Sequence, residues 1–191
     1  MNFIEDLKWR GALNQVTDEA GLIEAMASGE IGAYVGTDPT ADSLHLGHLI
    51  PFMVLKRFQN AGGKAVIIIG GATGAIGDPR PTTERQLLSP EQLRQNEKGI
   101  TEQVTKLFGD EKTAIVNNND WLGKLTLTDF LRDYGKLFSI NVMVKKDVVA
   151  SRLETGISFT EFTYQILQGI DYHELWRRHN VQLQIGGSDQ W

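Results

Sequence analysis

The sequence predicts an α/β fold built on a parallel sheet. Three observations support this prediction: an apolar stretch at residues 31–36, an apolar helical run at 49–58 and a second apolar stretch at 65–69. A strand, a helix and a strand joined by short loops form a βαβ unit with a right-handed crossover. In such a sheet the ligand crevice lies beyond the carboxyl ends of the strands. The residues that directly follow each strand are therefore candidates for a binding site.

Local patterns predict the remaining elements. A helix is expected at residues 17–26, and Ser89 followed by Pro90 is typical of a helix start. A β-like segment at 113–116, an amphipathic helix at 127–138 and a buried strand that starts at residue 183 and breaks into glycines at 186 and 187 follow from the apolar spacing. Ser158 and Glu161 have the spacing of a capping box and predict a helix at 159–170.

The composition excludes several classes of protein. The chain has 191 residues, of which 41% are hydrophobic, and this is enough to bury a core. The absence of cysteine excludes disulfide and thiol chemistry, and a net charge of −5 provides no basic surface for nucleic acid. No export signal and no apolar run of about 18 residues is visible. We therefore expect a cytoplasmic protein that has no membrane partner.

Two histidines lie near the start of the predicted helix, in the sequence His45-Leu46-Gly47-His48. Ring N–H groups, free backbone N–H groups and the positive end of the helix dipole meet there, and this combination suits a phosphate. Helix capping or a plain surface position are ordinary alternatives for so short a motif. A zinc site is disfavoured, because the chain has no cysteine and His173 and His179 are spaced six residues apart.

A glycine-rich segment follows the second predicted strand, with the sequence Gly70-Gly71-Ala72-Thr73-Gly74-Ala75-Ile76-Gly77-Asp78-Pro79. Glycine allows a ligand to approach the backbone closely, so a nicotinamide or flavin enzyme is one alternative. A dinucleotide-binding motif, however, follows the first strand of its unit, and a P-loop ends in Gly-Lys-Ser/Thr. A flexible turn is the simplest alternative.

A polar stripe lies on the helix predicted at 159–170. It consists of Tyr164, Gln168 and Asp171, which are spaced i, i+4 and i+7 and can converge on one ligand. A solvated surface face is the usual explanation of such a stripe. A phenol and a carboxamide carry no charge, however, and are an unusual choice for a face that only promotes solubility.

Together these segments resemble the class I aminoacyl-tRNA synthetases and, within them, the tyrosyl family. The matching segments are residues 34–48, 70–79 and 154–164, and the closing run Gly186-Gly187-Ser188-Asp189-Gln190. The resemblance extends from residue 3 to residue 191 and implies a Rossmann-like nucleotide-binding fold with a parallel sheet. It also implies a helical insertion that carries a dimer surface.

The resemblance implies that the chain has three parts. Residues 1–80 would form an N-terminal arm and the first half of the nucleotide-binding fold. Residues 81–180 would form the helical insertion with part of the tyrosine pocket, and 181–191 would begin the second half. We expect the fold to be truncated there, ahead of a lysine-rich KMSKS-type loop and an anticodon-binding domain. The candidates for a homodimer contact are Phe130, Phe138 and Phe159.

The implied activity is the activation of L-tyrosine with ATP, followed by transfer of tyrosine to tRNA(Tyr). Mg²⁺ would accompany ATP, and no metal bound by the protein is expected. The catalytic candidates, which would donate hydrogen bonds to the phosphates, are Thr40, His45 and His48. The candidates for binding ATP are Asp38, Gly47, Gly186 and Asp189.

The resemblance also assigns residues to the amino acid. The candidates for binding tyrosine are Tyr34, Gly36, Asp78, Tyr164, Gln168, Asp171 and Gln190, and Gln184 is a further candidate. Asp78, Tyr164 and Gln168 would hold the α-ammonium group, while Tyr34 and Asp171 would surround the phenol hydroxyl. Such a pair would discriminate against phenylalanine, because buried polar groups would then stay unpaired.

The sequence departs from the family pattern near the proposed ATP site. Pro51 lies within the predicted helix, where it cannot donate a backbone hydrogen bond to Gly47. Lysines that many relatives carry after Asp78 are missing, which leaves Arg80 or Arg85 to contact pyrophosphate. The alternatives are a tryptophanyl-type synthetase, a non-catalytic tyrosine-binding or dimerising module and, more remotely, a nicotinamide-dependent oxidoreductase.

Overall fold

A four-stranded parallel sheet forms the centre of the protein in a computed structural model that describes residues 2–29, 31–77, 87–110 and 112–190. The strands are β1 (Gly32–Thr37), β2 (Lys64–Ile69), β3 (Thr113–Asn117) and β4 (Val181–Gln184). Their order is β3-β2-β1-β4, and every neighbouring pair is parallel. The predicted α/β fold is confirmed. Because the chain builds outward from β1 to β3 and then returns to the other side of β1, the order reverses between β1 and β4.

Helices cover both faces of the sheet. They are α1 (Phe3–Trp9), α2 (Glu19–Ser28), α3 (Leu46–Asn60), α4 (Pro90–Phe108), α5 (Asn119–Leu122), α6 (Leu127–Asp129), α7 (Ile140–Met143), α8 (Asp147–Ala150) and α9 (Phe159–His179). The cap predicted for α4 is present, because the Ser89 side chain accepts a backbone N–H of the first turn, and the Asp18 side chain caps α2 in the same way. Across the described ranges, no helix has both the length and the apolar character needed to cross a membrane.

The two faces of the sheet bury separate cores. Alternate residues of a strand point to opposite faces, so Val35 and Ile67 lie in one core while Tyr34 and Val66 lie in the other. The first core contains residues of α1 to α4, and the second contains residues of α9 and of the segment 121–143. The candidate site lies where these two layers meet the carboxyl ends of the strands.

Helix α3 begins earlier than predicted. Its first residue is Leu46 instead of residue 49, and His45 is its N-cap. Pro51 lies inside the helix as expected, and the helix continues to Asn60 because proline removes only one backbone hydrogen bond. The two histidines therefore belong to the first turn of the helix, and do not precede it.

The segment predicted as an amphipathic helix at 127–138 is helical from Leu127 to Leu137, but it is not a regular α-helix. The segment consists of α6, a π-helical turn (Phe130–Tyr134) and a 3₁₀ turn (Gly135–Leu137). The N–H of Gly135 reaches back five residues to the carbonyl of Phe130, which widens the helix at this point. The wider turn keeps Phe130 and Tyr134 against the second core.

Helix α9 and the last strand also differ from their predicted bounds. The helix ends at His179 instead of residue 170, and β4 begins at Val181 instead of residue 183 and ends before the glycines, as expected. Gly186 and Gly187 are consequently exposed and belong to the loop after the strand. This loop leaves the sheet at the same edge as the candidate site.

The capping box predicted at the start of α9 is only half formed. The hydroxyl of Ser158 accepts the N–H of Glu161 at 3.2 Å, as expected. The Glu161 carboxylate instead pairs with the guanidinium of Arg152 at 3.3 Å, and both side chains are almost fully buried. Arg152 also donates to the carbonyl of Gly156 at 3.1 Å, so this pair holds the preceding loop against α9.

Candidate functional site

The site lies at the carboxyl edge of the sheet. β1, β2 and β3 end there and lead directly into Asp38, Gly70 and Asn118. The reversal of strand order between β1 and β4 opens a crevice at this edge, because the chain leaves neighbouring strands in opposite directions. The predicted binding residues of α9 face the same region through the hydrogen bonds described below.

Tyr34 is buried at one end of this region, with 3% of its surface exposed. Its hydroxyl has no hydrogen-bond partner within the described residues. Burial and the nearby Asp171 carboxyl both raise the pKa of Tyr34 far above its usual range, so the hydroxyl keeps its proton. An uncharged, buried hydroxyl is therefore free to pair with a polar group of a ligand.

Asp171 is held in one orientation beside Tyr34. Its two carboxyl oxygens accept hydrogen bonds from Asn118 Nδ2 at 2.9 Å and from Trp121 Nε1 at 2.8 Å. Burial raises the pKa of Asp171 to about 7, even though these two hydrogen bonds lower it. The charge of Asp38 raises this pKa further. Near neutral pH the carboxyl group is thus poised between its two protonation states.

A chain of hydrogen bonds connects Asp171 to the other end of the site. Asn118 Nδ2 donates to Thr73 Oγ1 at 2.9 Å, and Thr73 Oγ1 donates to Asp38 Oδ1 at 2.7 Å. The Tyr164 hydroxyl donates to the second oxygen of Asp38 at 2.9 Å. The chain joins the ends of three strands to α9, so it fixes their relative positions at the site.

The residues predicted to hold the ammonium group are partly brought together. Gln168 Nε2 donates to Gln190 Oε1 at 3.3 Å, and Tyr164 contacts Asp38 as above. Asp38, which the resemblance assigned to ATP, is thus bonded to a residue of the predicted tyrosine set. Asp78 lies outside the described residues, as do Arg80 and Arg85, and the side chain of Asp189 is also outside them.

The glycines of the segment after β2 make room for side chains of the protein itself. A Cβ atom at Gly70 would overlap the Asp38 carboxylate, and one at Gly71 would overlap the side-chain amide of Asn117. Gly186, in the loop after β4, similarly leaves room for Gln190, because a Cβ atom at Gly186 would lie 3.0 Å from the Cβ of Gln190. The glycine run therefore permits the hydrogen-bond chain at the carboxyl edge to form.

The two histidines cap helix α3 and still present hydrogen-bond donors. His45 Nδ1 accepts the N–H of Gly47 at 3.1 Å, and His48 Nδ1 accepts the N–H of His45 at 3.3 Å. The rings stack at 3.8 Å, and a Cβ at Gly47 would come within 2.9 Å of the His45 ring. In a neutral ring whose Nδ1 accepts, the proton lies on Nε2. The capping role and the donor role are thus compatible.

Burial favours the uncharged form of the His48 ring. Desolvation and the neighbouring His45 ring both lower the pKa of His48. Thr40 lies half-buried in the loop between β1 and α3, where its backbone N–H donates to the carbonyl of Asp38 at 2.8 Å. Gly36 is exposed at the end of β1, and Gln184 is half-buried in β4.

Several residues of the site were missed at the level of sequence. Asn118, Trp121 and Thr73 form the hydrogen-bond chain, yet none was predicted to have a role. The position of Asn118 directly after β3 was the available signal, because it follows the rule for carboxyl ends. Thr37, at the end of β1, also has a buried hydroxyl without a hydrogen-bond partner within the described residues.

Comparison with known proteins agrees with this geometry. The profile of the family "tRNA synthetases class I (W and Y)" matches residues 26–191. The chain is 90% identical to a tyrosine–tRNA ligase of Leuconostoc citreum and 65% identical to one of Limosilactobacillus fermentum. Each match covers 100% of this chain but only 46% of the relative. The chain thus spans about half the length of these curated relatives.

Solved structures show the same fold. A C-terminally truncated mitochondrial tyrosyl-tRNA synthetase of Aspergillus nidulans superposes with a TM-score of 0.87 at 33% identity, over 99% of this chain and 57% of that one. The tyrosyl-tRNA synthetase of Archaeoglobus fulgidus, solved with L-tyrosine, superposes with a TM-score of 0.66 at 18% identity, over 89% of this chain and 49% of that one. By its sequence profile, which covers most of its length, the chain belongs to the class I tRNA synthetases (W and Y).

Proposed function

We propose that the protein activates L-tyrosine with ATP and then transfers tyrosine to tRNA(Tyr). The observation that carries this proposal is the pair at the base of the site. The Tyr34 hydroxyl is buried without a partner beside the Asp171 carboxyl, whose orientation is fixed by two hydrogen bonds. A ligand hydroxyl placed there would accept from Tyr34 and donate to Asp171.

The polar base of the pocket favours tyrosine over its closest competitors. Phenylalanine would leave the buried Tyr34 hydroxyl without a partner, which costs about 1–3 kcal/mol, and Asp171 would keep Asn118 and Trp121 but receive no hydrogen bond from the ligand. The indole of tryptophan has one donor and no acceptor, so it could satisfy Asp171 but not the hydroxyl of Tyr34. The relatives named tyrosine–tRNA ligase support the same choice.

The entrance of α3 supports ATP as the second substrate. The Nε2 atoms of two stacked histidine rings lie together at this helix start, and the helix dipole favours a negative charge there. In the proposed reaction the tyrosine carboxylate attacks the α-phosphorus, the bond to the bridging oxygen breaks, and pyrophosphate leaves. Thr40, His45 and His48 would stabilise the charge that develops on the phosphate oxygens.

We propose that Mg²⁺ enters as part of the nucleotide substrate. The described residues contain no group of three or more His, Cys, Asp or Glu side chains that could hold a metal ion. The ligands of the ion would then be mainly phosphate oxygens and water, as is usual for Mg²⁺ bound with a nucleotide. ATP and tRNA are substrates of cytoplasmic protein synthesis, so we expect the protein to act in the cytoplasm.

We also propose that the full-length protein is a homodimer. Exposed apolar side chains are concentrated between α6 and the start of α9, namely Leu127, Leu131, Leu137, Ile140, Val142, Leu153 and Phe159. Phe159 is 74% exposed and is the best placed of the three predicted contacts. Phe130 and Phe138 are half-buried and pack against the second core.

The oligomer is tested by ultracentrifugation of the full-length protein. Phe159→Asp places a charge in the proposed interface and should convert the dimer to a monomer at micromolar concentration. Leu107→Asp on α4 is the matched control, because Leu107 is also exposed but belongs to a helix of the first core, whereas this segment packs against the second. A monomeric wild-type protein, or dissociation by both substitutions, would refute the proposed interface.

The activity is tested by ATP–pyrophosphate exchange with the full-length protein. Tyrosine should support exchange, while phenylalanine and tryptophan should support it at least about a hundredfold less well, because neither satisfies both the Tyr34 hydroxyl and Asp171 as a phenol hydroxyl does. Exchange with tryptophan in place of tyrosine would indicate a tryptophanyl-type synthetase. Tyrosine binding by calorimetry without any exchange would show a binding module in place of an enzyme.

A further inference from the structure

Helix α4 contacts the loop that connects β1 to α3. The loop comprises residues 38–45 and carries Thr40 and His45, the proposed phosphate ligands. Three residues of α4 touch it, namely Asn96, Gly99 and Gln103, and the spacing i, i+3 and i+7 places them on one face of the helix. No role was predicted for α4 from the sequence.

Asn96 fixes the first half of the loop. Its side chain is 2% exposed, and Nδ2 donates to the carbonyl of Pro39 at 3.1 Å. The Oδ1 atom of Asn96 accepts from Gln92 Nε2 at 3.0 Å, which orients the amide. A buried carboxamide with both ends bonded is specific for one position of the loop, because any shift would leave a buried polar group unpaired.

Gly99 and Gln103 fix the second half. Gln103 Oε1 accepts the N–H of Leu44 at 3.0 Å, and Nε2 donates to the carbonyl of Asp42 at 3.4 Å. A Cβ atom at Gly99 would overlap this same carbonyl of Asp42. The helix therefore approaches the loop as closely as its backbone allows. Leu44 directly precedes His45, so its position sets where the helix cap begins.

The opposite side of the loop is equally confined. Gly74 leaves room for the ring of Pro39, since a Cβ there would lie 2.7 Å from Pro39 Cδ. Asp38 is held by Thr73 and Tyr164 through the hydrogen bonds described above. The loop is thus fixed between the segment after β2 and α4. Among the hydrogen bonds given for the described residues, those that side chains make to the backbone of residues 42–44 come from α4.

We propose that Asn96 and Gln103 are positioning residues, which hold the loop so that Thr40 and His45 meet the phosphates of ATP in the reactive geometry. This inference rests on the proposed function for its kinetic consequence. Neither residue needs to touch the substrate. Because a displacement of about 1 Å in a positioned group can cost up to about a hundredfold in rate, small changes in α4 should reduce the activation rate.

The test uses four substitutions in the full-length protein. Gln103→Ala removes both bonds to the loop, and Gly99→Ala inserts a methyl group against the Asp42 carbonyl. Gln103→Glu keeps an acceptor for the Leu44 N–H and should recover most of the rate that Gln103→Ala loses. Gln95→Ala is the matched control, because Gln95 is an exposed glutamine of the same helix.

Two measurements are made on each variant. Gln103→Ala and Gly99→Ala should lower the rate constant of tyrosyl-adenylate formation by about tenfold or more while the Kd of tyrosine stays within about twofold. Hydrogen exchange at the Leu44 amide should become faster in Gln103→Ala and stay normal in Gln95→Ala, because only the former loses the acceptor. If Gly99→Ala does not fold, the Gln103 pair alone decides the question.

The outcomes separate this inference from the proposed function. If wild-type protein supports tyrosine-dependent exchange but the Gln103 and Gly99 variants keep its rate, the positioning role is refuted and the proposed function stands. If the wild type shows no such exchange, the proposed function fails. In that case unchanged hydrogen exchange in Gln103→Ala would also refute the attachment of the loop to α4.

Discussion

The two ends of the candidate site are held by different kinds of contact. At the tyrosine end, Asp171 is fixed by Asn118 and Trp121, which lie about 50 residues away in sequence and come from another segment of the second core. At the phosphate end, His45 and His48 bond to backbone groups within three residues of themselves. The bonds to Asp171 are long-range and depend on the packed fold. The bonds of the two histidine rings are local to the start of α3, and long-range contacts from α4 act on the loop that precedes them.

This difference has a physical meaning. Discrimination between amino acids requires buried polar groups that cannot rearrange, and only long-range packing can hold them in place. A phosphate can be met by donors at an exposed helix end, because the charge of the ligand provides much of the attraction. We therefore expect substitutions at the tyrosine end to change selectivity and stability, whereas substitutions at the phosphate end should mainly change the rate.

The largest effect is expected at the phosphate end. His45→Ala and Thr40→Ala should each lower the rate of tyrosine activation by about 10²-fold or more, while the Kd of tyrosine stays nearly unchanged, because the lost contacts form in the transition state. Stopped-flow kinetics and calorimetry on the full-length protein measure the two quantities.

A second substitution separates catalysis from capping at this position. His45→Asn keeps a side chain that can accept the Gly47 N–H, so it should lose activity without losing stability. His45→Ala should also lose about 1 kcal/mol of unfolding free energy, as expected when an N-cap is removed. Weaker tyrosine binding with a normal rate would move His45 into the amino-acid pocket and remove the contrast between the two ends.

At the tyrosine end, Asp171→Ala should reduce the preference for tyrosine over phenylalanine by roughly 1.5–3 kcal/mol, the usual contribution of a hydrogen bond to a charged group. It should also lower stability, since two buried donors lose their acceptor. The kcat/KM values for both amino acids, together with urea unfolding, give the two effects. An unchanged tyrosine-to-phenylalanine ratio would contradict the assignment of Asp171 to the hydroxyl.

The affinity for tyrosine should depend on pH through Asp171. A ligand hydroxyl that donates to the carboxylate favours its ionised form, so below the pKa of about 7 binding must release a proton. The affinity should then fall by up to about tenfold for each pH unit below 7 and stay level just above it. Calorimetry between about pH 5.5 and 8 measures this slope, and Asp171→Asn should abolish it.

The same group makes the opposite contribution to folding. Because the folded state holds the proton of Asp171 at a higher pH than the unfolded state does, this group lowers stability as the pH rises from about 4 to 7. Ligand-free protein should therefore lose stability over the range in which it gains affinity for tyrosine. Thermal unfolding with and without tyrosine at several pH values would show both trends, and parallel trends would contradict the assignment.

The smallest effect is expected for the Tyr34 hydroxyl. Tyr34→Phe should reduce the preference for tyrosine over phenylalanine by roughly 1 kcal/mol, as one neutral hydrogen bond is lost. Stability should not fall, because this hydroxyl has no partner among the described residues. Tyr172→Phe is the matched control, since the Tyr172 hydroxyl donates to the Gln182 carbonyl. It should lower stability and leave selectivity unchanged.

The sequence was sufficient to predict the central fold and the position of the site. The βαβ unit of β1, α3 and β2 follows from two short apolar stretches around one apolar helical run, which are local patterns. The polar stripe on α9 also follows from spacing, and Tyr164, Gln168 and Asp171 do face the carboxyl edge of the sheet. Resemblance to the synthetases was needed to connect these residues with a substrate.

The supporting contacts could not be predicted in the same way. Asn118 and Trp121 reach Asp171 only after α9 has packed on the sheet beside the segment that follows β3. No sequence pattern predicts that contact. The early start of α3 has a related cause. Histidine is not a preferred N-cap, so capping was only one alternative for this motif, and the pattern did not indicate that the helix would begin directly after His45.

The buried pair of Arg152 and Glu161 limits which substitutions this chain can accept in evolution. Loss of Arg152 would leave the buried Glu161 carboxylate without its cation and cost about 3–5 kcal/mol, a large part of the total stability of most domains. A double replacement by apolar residues could be neutral, but each single step toward it is harmful. We therefore expect related sequences either to keep both residues or to have both replaced.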